Sequence, residues 1–170
     1  MNPLMQKLVN IALSQVGTRE EGGNNKGERI VEYQRATWLQ PAPWAWCAAF
    51  TCWILREWLK DPEVLACFKL TPKAAELWRC KSAGAFDWEK WATTKGLIVL
   101  PETAKAKAGD FVIFDFSHIG IVVEDQIGDT IVTVEGNTNG KGERDSVSGD
   151  GVWLKKRHYT LVKSYLRMFA

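Results

Sequence analysis

Four residues of this chain have the types and spacing for covalent chemistry: Cys47, His118, Glu135 and Asn137. Cys47 follows the structure-breaking Pro41-Ala42-Pro43 and opens a stretch, 44–55, that is apolar all round. Such a stretch predicts a helix buried inside the protein rather than lying on it. Cys47 falls in its first turn. The unsatisfied N–H groups and positive dipole end there favour a thiolate and suit an oxyanion forming on a substrate. Cys52, about one and a half turns deeper, gains neither effect.

His118 opens an apolar β-branched run, 119–123, and a second run, 130–134, leads into Glu135, Gly136 and Asn137. Gly128-Asp129 predicts a hairpin between the two. A loop of 126–129 pairs residue 125 with 130. It then sets His118 opposite Asn137, with Glu135 on the diagonal of the same face. A two-residue loop keeps the faces but slides Glu135 further from His118. Alternation places Ile119, Ile121, Val123, Val132 and Val134 on the core face and His118, Gly120, Glu135 and Asn137 on the other. A cysteine at a helix start, a histidine on a strand and a carboxylate or amide behind it form a nucleophile, a base and an orienting group. Those are the parts that thiolate attack on an amide carbonyl requires. Either Glu135 or Asn137 can hold the imidazole in its useful tautomer. Taken singly, each residue has a plainer reading: a strand-end histidine, a solvated carboxylate, a turn-forming asparagine.

The elements that must position these groups change character along the chain. Asn2 and Pro3 start a helix that Gly17 ends. A polar loop covers 18–27, and a short helix covers about 28–38. Thr71-Pro72 starts a helix to about 81, and Asp87 caps another to about 94. The second half carries short strands at 111–114, 119–123, 130–134, 152–154 and 164–168, separated by Gly-Asp pairs. Helices first and consecutive strands after predict an α+β fold with an antiparallel sheet. The 170 residues, 46% of them hydrophobic, have a single-domain length and ordinary globular composition. Twenty-two basic against twenty acidic residues leave +2, which gives no electrostatic case for nucleic acid. The start MNPLMQKLVNIALSQVG lacks the basic, unbroken apolar form of a secretory signal, and no stretch is long enough for a membrane span. Synthesis in the cytoplasm, without membrane insertion, is the expectation. No cysteine pair has Cys-x-x-Cys spacing and the two histidines are far from all four, which argues against zinc.

Nine tryptophans are the unusual count. Trp53, Trp58 and Trp78 read as core. Trp44 and Trp46 flank Cys47, and one of them is expected to line a groove. Trp88, Trp91 and Trp153 are open between packing and sugar binding. Loop 20–25 is either a substrate contact or a solvated turn. Trp44, Trp46, Asn25 and Ser117 are the candidate substrate-binding residues.

The segments 41–50, 108–114, 117–123 and 134–138 together resemble the CHAP-type cysteine amidases and peptidases, relatives of the papain-like NlpC group. The resemblance spans about 12–165, and the order Cys, His, Glu, x, Asn is its specific part. Gly23 to Gly27 followed by Tyr33 is similar to a leader of phage-associated members, which gives the resemblance a phage-lysin character. It implies a papain-like fold, a single catalytic domain over 1–170 and cleavage of an amide bond in bacterial peptidoglycan. It also implies Cys47 as nucleophile, His118 as base, Glu135 as third member and Asn137 as a fourth polar residue. Some phage members bind calcium through acidic loops before the cysteine. Segment 39–46 has no carboxylate, so neither calcium nor another cofactor is expected. At this length a separate wall-binding domain is not expected. That suits a thin, Gram-negative-type wall, reached by holin- or secretion-dependent delivery, and a monomer acting at the periplasm or wall. A catalytically silent wall-binding module and an acyltransferase using the same cysteine are the alternatives.

Overall fold

The computed structural model describes residues 1–141 and 149–170. Six helices come first: α1 (Pro3–Ser14), α2 (Glu28–Gln34), α3 (Cys47–Trp58), α4 (Pro62–Cys67), α5 (Pro72–Trp78) and α6 (Asp87–Thr94). Six strands follow: β1 (Ile98–Pro101), β2 (Phe111–Phe114), β3 (His118–Val122), β4 (Thr130–Thr138), β5 (Gly151–His158) and β6 (Val162–Arg167). They form one antiparallel sheet in the order β1-β6-β2-β3-β4-β5. The fold is α+β, as the sequence predicts, and is compatible with a papain-like architecture.

The caps explain where the helices start. Asn2 Oδ1 accepts from the Leu4 N–H at 2.8 Å with Pro3 behind it, and Thr71 Oγ1 accepts from the Ala74 N–H at 3.1 Å ahead of Pro72. The same signature, Asp61 followed by Pro62, starts α4, an element the sequence reading passes over. Phe86 rather than Asp87 occupies the cap of α6; the Asp87 carboxylate turns back to accept from Ser82 Oγ at 2.5 Å. Helix α5 stops at Trp78, short of 81, because Arg79 turns extended (ψ 153) and its side chain reaches the Ala36 carbonyl.

Helix α3 is the axis of the molecule. Every residue of it from Cys47 to Leu55 is buried. It packs on α1, α2, β3 and β4, and Trp58 Nε1 ties it to the Leu4 carbonyl at 2.8 Å. One face of the sheet gives Ile113, Ile119, Ile121, Val134 and Leu166 to this main core. The other face carries a smaller core of Val112, Phe114, Val122, Ile131 and Tyr165. At about 1.5–3 kcal/mol for each large side chain buried, the α3 contacts dominate what holds the helices to the sheet.

The β3–β4 register pairs Ile121 with Val134 and Val122 with Thr133, which is the register of a 126–129 loop. Pairing stops there, and β4 bulges between Glu135 and Thr138. The sheet therefore opens at the end that carries His118, and the start of α3 sits against this opening. Gly136 makes the approach possible: a Cβ there would lie 2.7 Å from Phe50 Cβ and 2.8 Å from the Trp46 ring.

Candidate active site

Cys47 is the first residue of α3, and Trp46 before it caps the helix with no side-chain hydrogen bond. The first N–H groups of the helix thus carry no side-chain cap. His118 enters β3 from Ser117, which is exposed and holds the left-handed backbone conformation (φ 60). The imidazole that follows is fully buried. Its ring stacks on Phe116 and Phe114, with centroids at 5.7 and 5.8 Å.

His118 Nε2 donates to the Glu135 carboxylate, 2.8 Å from Oε2. Gly120 leaves the room: a Cβ there would meet Glu135 Cγ at 2.7 Å. Nδ1, the other ring nitrogen, has no hydrogen-bond partner among the described residues, and the Cys47 thiol is near enough to act on the charge of the ring. Glu135 is itself saturated. It accepts from Thr133 Oγ1 at 2.6 Å and from Arg157 Nε at 2.9 Å, both on Oε1, and Arg157 Nη2 donates to Oε2. Arg157 is buried with its guanidinium over the rings of Phe114 and Phe116. The result is a buried line of Cys47, His118, Glu135 and Arg157.

The electrostatics follow from these partners. Burial alone pushes His118 toward the neutral form, but Cys47 and Glu135 outweigh it and raise its pKa to about 9. Burial would raise Glu135 likewise, yet Arg157 and His118 hold its carboxyl well below the usual range. Among the described residues no three His, Cys, Asp or Glu side chains converge as metal ligands would.

The remaining candidates take different places. Asn137 is buried in the β4 bulge with a left-handed backbone (φ 54); of the two candidate orienting residues, Glu135 is the one bonded to the ring. Trp46 is a correction. It is fully buried, stacked on Tyr33 at 5.6 Å, and its Nε1 donates to Glu20 Oε1 at 2.9 Å, so no substrate can lie against it. Trp44 is half-buried and donates from Nε1 to the Gln40 carbonyl at 3.0 Å. Asn25 holds a left-handed turn (φ 58) in a loop closed by Glu21 N–H on the Lys26 carbonyl at 2.9 Å. The start of that loop is zipped to β5, with Val152 N–H on Thr18 O at 2.9 Å and Glu20 N–H on Asp150 O at 2.8 Å. This sets Glu20 beside Trp46.

Arg157 is the residue the sequence reading misses. It lies in Lys155-Lys156-Arg157-His158, which looks like a solvated basic strand. The available signal is period two: Lys155 and Arg157 are buried, Lys156 and His158 exposed.

The CHAP domain family model matches residues 39–137, more than half of the chain and the segment from the approach to Cys47 through Asn137. No curated protein matches the chain.

Proposed function

The chain belongs to the CHAP domain family, whose activity is in general that of a peptidoglycan-hydrolysing amidase or peptidase, and from that premise we propose that it cleaves one amide bond of peptidoglycan through a covalent acyl-enzyme on Cys47. Either the muramoyl–alanine bond or an amide within the stem peptide or its crosslink fits this chemistry. The observation that carries the reading is the buried line from Cys47 through His118 and Glu135 to Arg157.

In the proposed cycle, the Cys47 proton moves to His118 Nδ1, giving a thiolate beside an imidazolium. The thiolate attacks the carbonyl carbon, and the carbonyl oxygen takes the negative charge against the first N–H groups of α3. The intermediate collapses as His118 gives its proton to the departing nitrogen, releasing the amine and leaving a thioester. Water then attacks the thioester carbonyl while Nδ1 takes one of its protons. The proton returns to sulfur as the acid leaves. Glu135 holds the ring by Nε2 so that Nδ1 faces the sulfur, and stays ionised throughout. Asn137, Trp44 and Ser117 border the groove in this reading. The catalytic unit extends over the whole of 1–170, because Leu8 and Val9 of α1 and Leu166 of β6 belong to the same core as α3. The protein acts as a monomer at the cell wall, where its substrate lies.

The test is mass spectrometry of the soluble products after incubation with purified sacculi, with Cys47→Ala alongside. Muropeptides released by the native protein and not by the variant are expected, and their new termini locate the bond. Release by Cys47→Ala at a comparable rate would contradict the mechanism.

A further inference from the structure

A cleft lies between the 36–38 segment, α5 and α6. Its volume is about 510 Å³, and neither Cys47, His118, Glu135 nor Asn137 lines it. Its floor is aromatic and fixed: Trp78 and Trp91 meet edge to face at 5.2 Å, and Trp91 Nε1 donates to the Trp78 carbonyl at 2.8 Å. Its walls are braced. Buried Arg79 donates to Ala36 O at 2.5 Å and grips Glu76 by Nε and Nη2, each at 2.7 Å, while Trp38 N–H donates to Lys81 O at 3.2 Å. On this rigid frame stand two large apolar side chains left in water, Trp38 at 69% exposure and Leu77 at 73%. Exposed apolar groups clustered in one concave place mark an interaction site.

The charges at the rim indicate the ligand. Lys81 is paired with Glu76 at 2.9 Å, but Lys90 and Lys95 are exposed and form no ion pair among the described residues. The one carboxylate in the lining, Asp87, is held by Ser82 Oγ at 2.5 Å, and the two lysines outnumber it, so the cleft offers flat aromatic faces beside a net positive rim. The π face of an indole is negative and attracts the slightly positive C–H faces of sugar rings. Unpaired lysines attract carboxylates. A polymer with both features is the glycan strand of peptidoglycan, whose alternate sugars bear a lactyl carboxylate.

We propose that this cleft is a second binding site for the glycan strand, separate from the catalytic line, which keeps the enzyme on the wall between cleavages. The choice of ligand rests on the reading of the chain as a wall hydrolase. The floor is held in place before binding, so little side-chain entropy is lost on association.

The test uses the full-length Cys47→Ala protein and co-sedimentation with two probes: intact sacculi, and glycan strands stripped of their stem peptides. Trp38→Ala should weaken binding to both about tenfold, the factor that corresponds to about 1.4 kcal/mol. Trp38→Phe should restore most of it. Lys90→Glu combined with Lys95→Glu should weaken it as well, and added salt should narrow that difference. With Cys47 present, its rate of labelling by iodoacetamide should be the same with and without Trp38→Ala. Unchanged sedimentation of Trp38→Ala would overturn the proposal. So would binding that requires stem peptides, or a labelling rate that falls with Trp38→Ala, which would assign the residue to the catalytic groove. If the native protein digests no sacculi yet sediments in a Trp38-dependent way, the hydrolase reading fails and the cleft stands.

Discussion

The carboxylate of Glu135 receives Thr133, His118 and both arms of Arg157, so it has no capacity left to take a proton from the ring. In the proposed mechanism its contribution is charge and orientation. Glu135→Gln keeps the shape and removes the charge. Because Glu135 is one of the two groups raising His118, the variant's alkaline limb in kcat/KM should move down from about 9 toward the ordinary histidine value of 6.5. The rate should fall roughly 100-fold or more, the scale of a misplaced general base. A pH–rate profile measures both, and a limb that stays put would remove Glu135 from the mechanism. The same groups set how stability depends on pH. His118, raised on folding, contributes stability that is complete below 6.5 and lost as pH rises through about 9. Glu135, lowered on folding, contributes stability present above 4.5 that is lost as pH falls through its depressed value. Arg157→Met should be the costliest single change here. It strands a buried carboxylate, an effect of about 3–5 kcal/mol, whereas Arg157→Lys keeps the charge and loses only the fork. Urea unfolding of the two variants checks the ranking.

At the scale of elements, the separation of Cys47 from His118 is set by how closely α3 approaches the β4 bulge. Gly136→Ala would place a methyl group 2.7 Å from Phe50, in the first turn of α3, and 2.8 Å from Trp46, its cap. The neighbours are backbone-anchored and buried, so the helix must move. Overpacking of this kind costs about 1–3 kcal/mol. The displacement should also slow iodoacetamide labelling of Cys47 by separating sulfur from His118. A variant that unfolds at lower urea yet labels at the native rate would show that helix position does not set the pairing. Much of this arrangement was legible beforehand, because each signal was local. The apolar 44–55 stretch, the Asn2-Pro3 and Thr71-Pro72 caps and the hairpin alternation all act over a few residues, and of the two loops the sequence leaves open, 126–129 is the one whose register β3 and β4 adopt. What was not legible depends on distant partners. Strand β1 is four residues ending in proline, and it exists because β6 from the far end of the chain pairs with it. Arg157 is buried because Glu135 attracts it. Trp46 looked like a groove residue by its place beside Cys47, and its direction is decided by Glu20 and Tyr33, from another loop and another helix.

For the whole molecule, the question is whether the segment carrying Cys47, His118, Glu135 and Asn137 is also a folding unit. Residues 39–137 hold those four, and that is the extent matched by the family. They lack three parts that the fold uses centrally. Strand β6 lies inside the sheet, pairing with β1 on one side and β2 on the other, so its removal detaches β1 and exposes the edge of β2. Leu8 and Val9 of α1 and Leu166 of β6 are among the most buried side chains of the main core. Arg157 is the cation that makes a buried Glu135 tolerable. A fragment spanning 39–137 would keep the unpaired carboxylate, the open sheet edge and a core lacking its flanking elements. Its conformational entropy cost per residue would be unchanged, on the order of 1–2 kcal/mol for each backbone unit fixed. The fragment should therefore show no cooperative urea transition by circular dichroism, and its Cys47 should label with iodoacetamide no faster than its other thiols. The full chain should unfold in one transition and label preferentially at Cys47. A cooperative transition in the fragment, with selective labelling retained, would show that α1, α2, β5 and β6 are accessory to the unit that builds the Cys47 site rather than part of it.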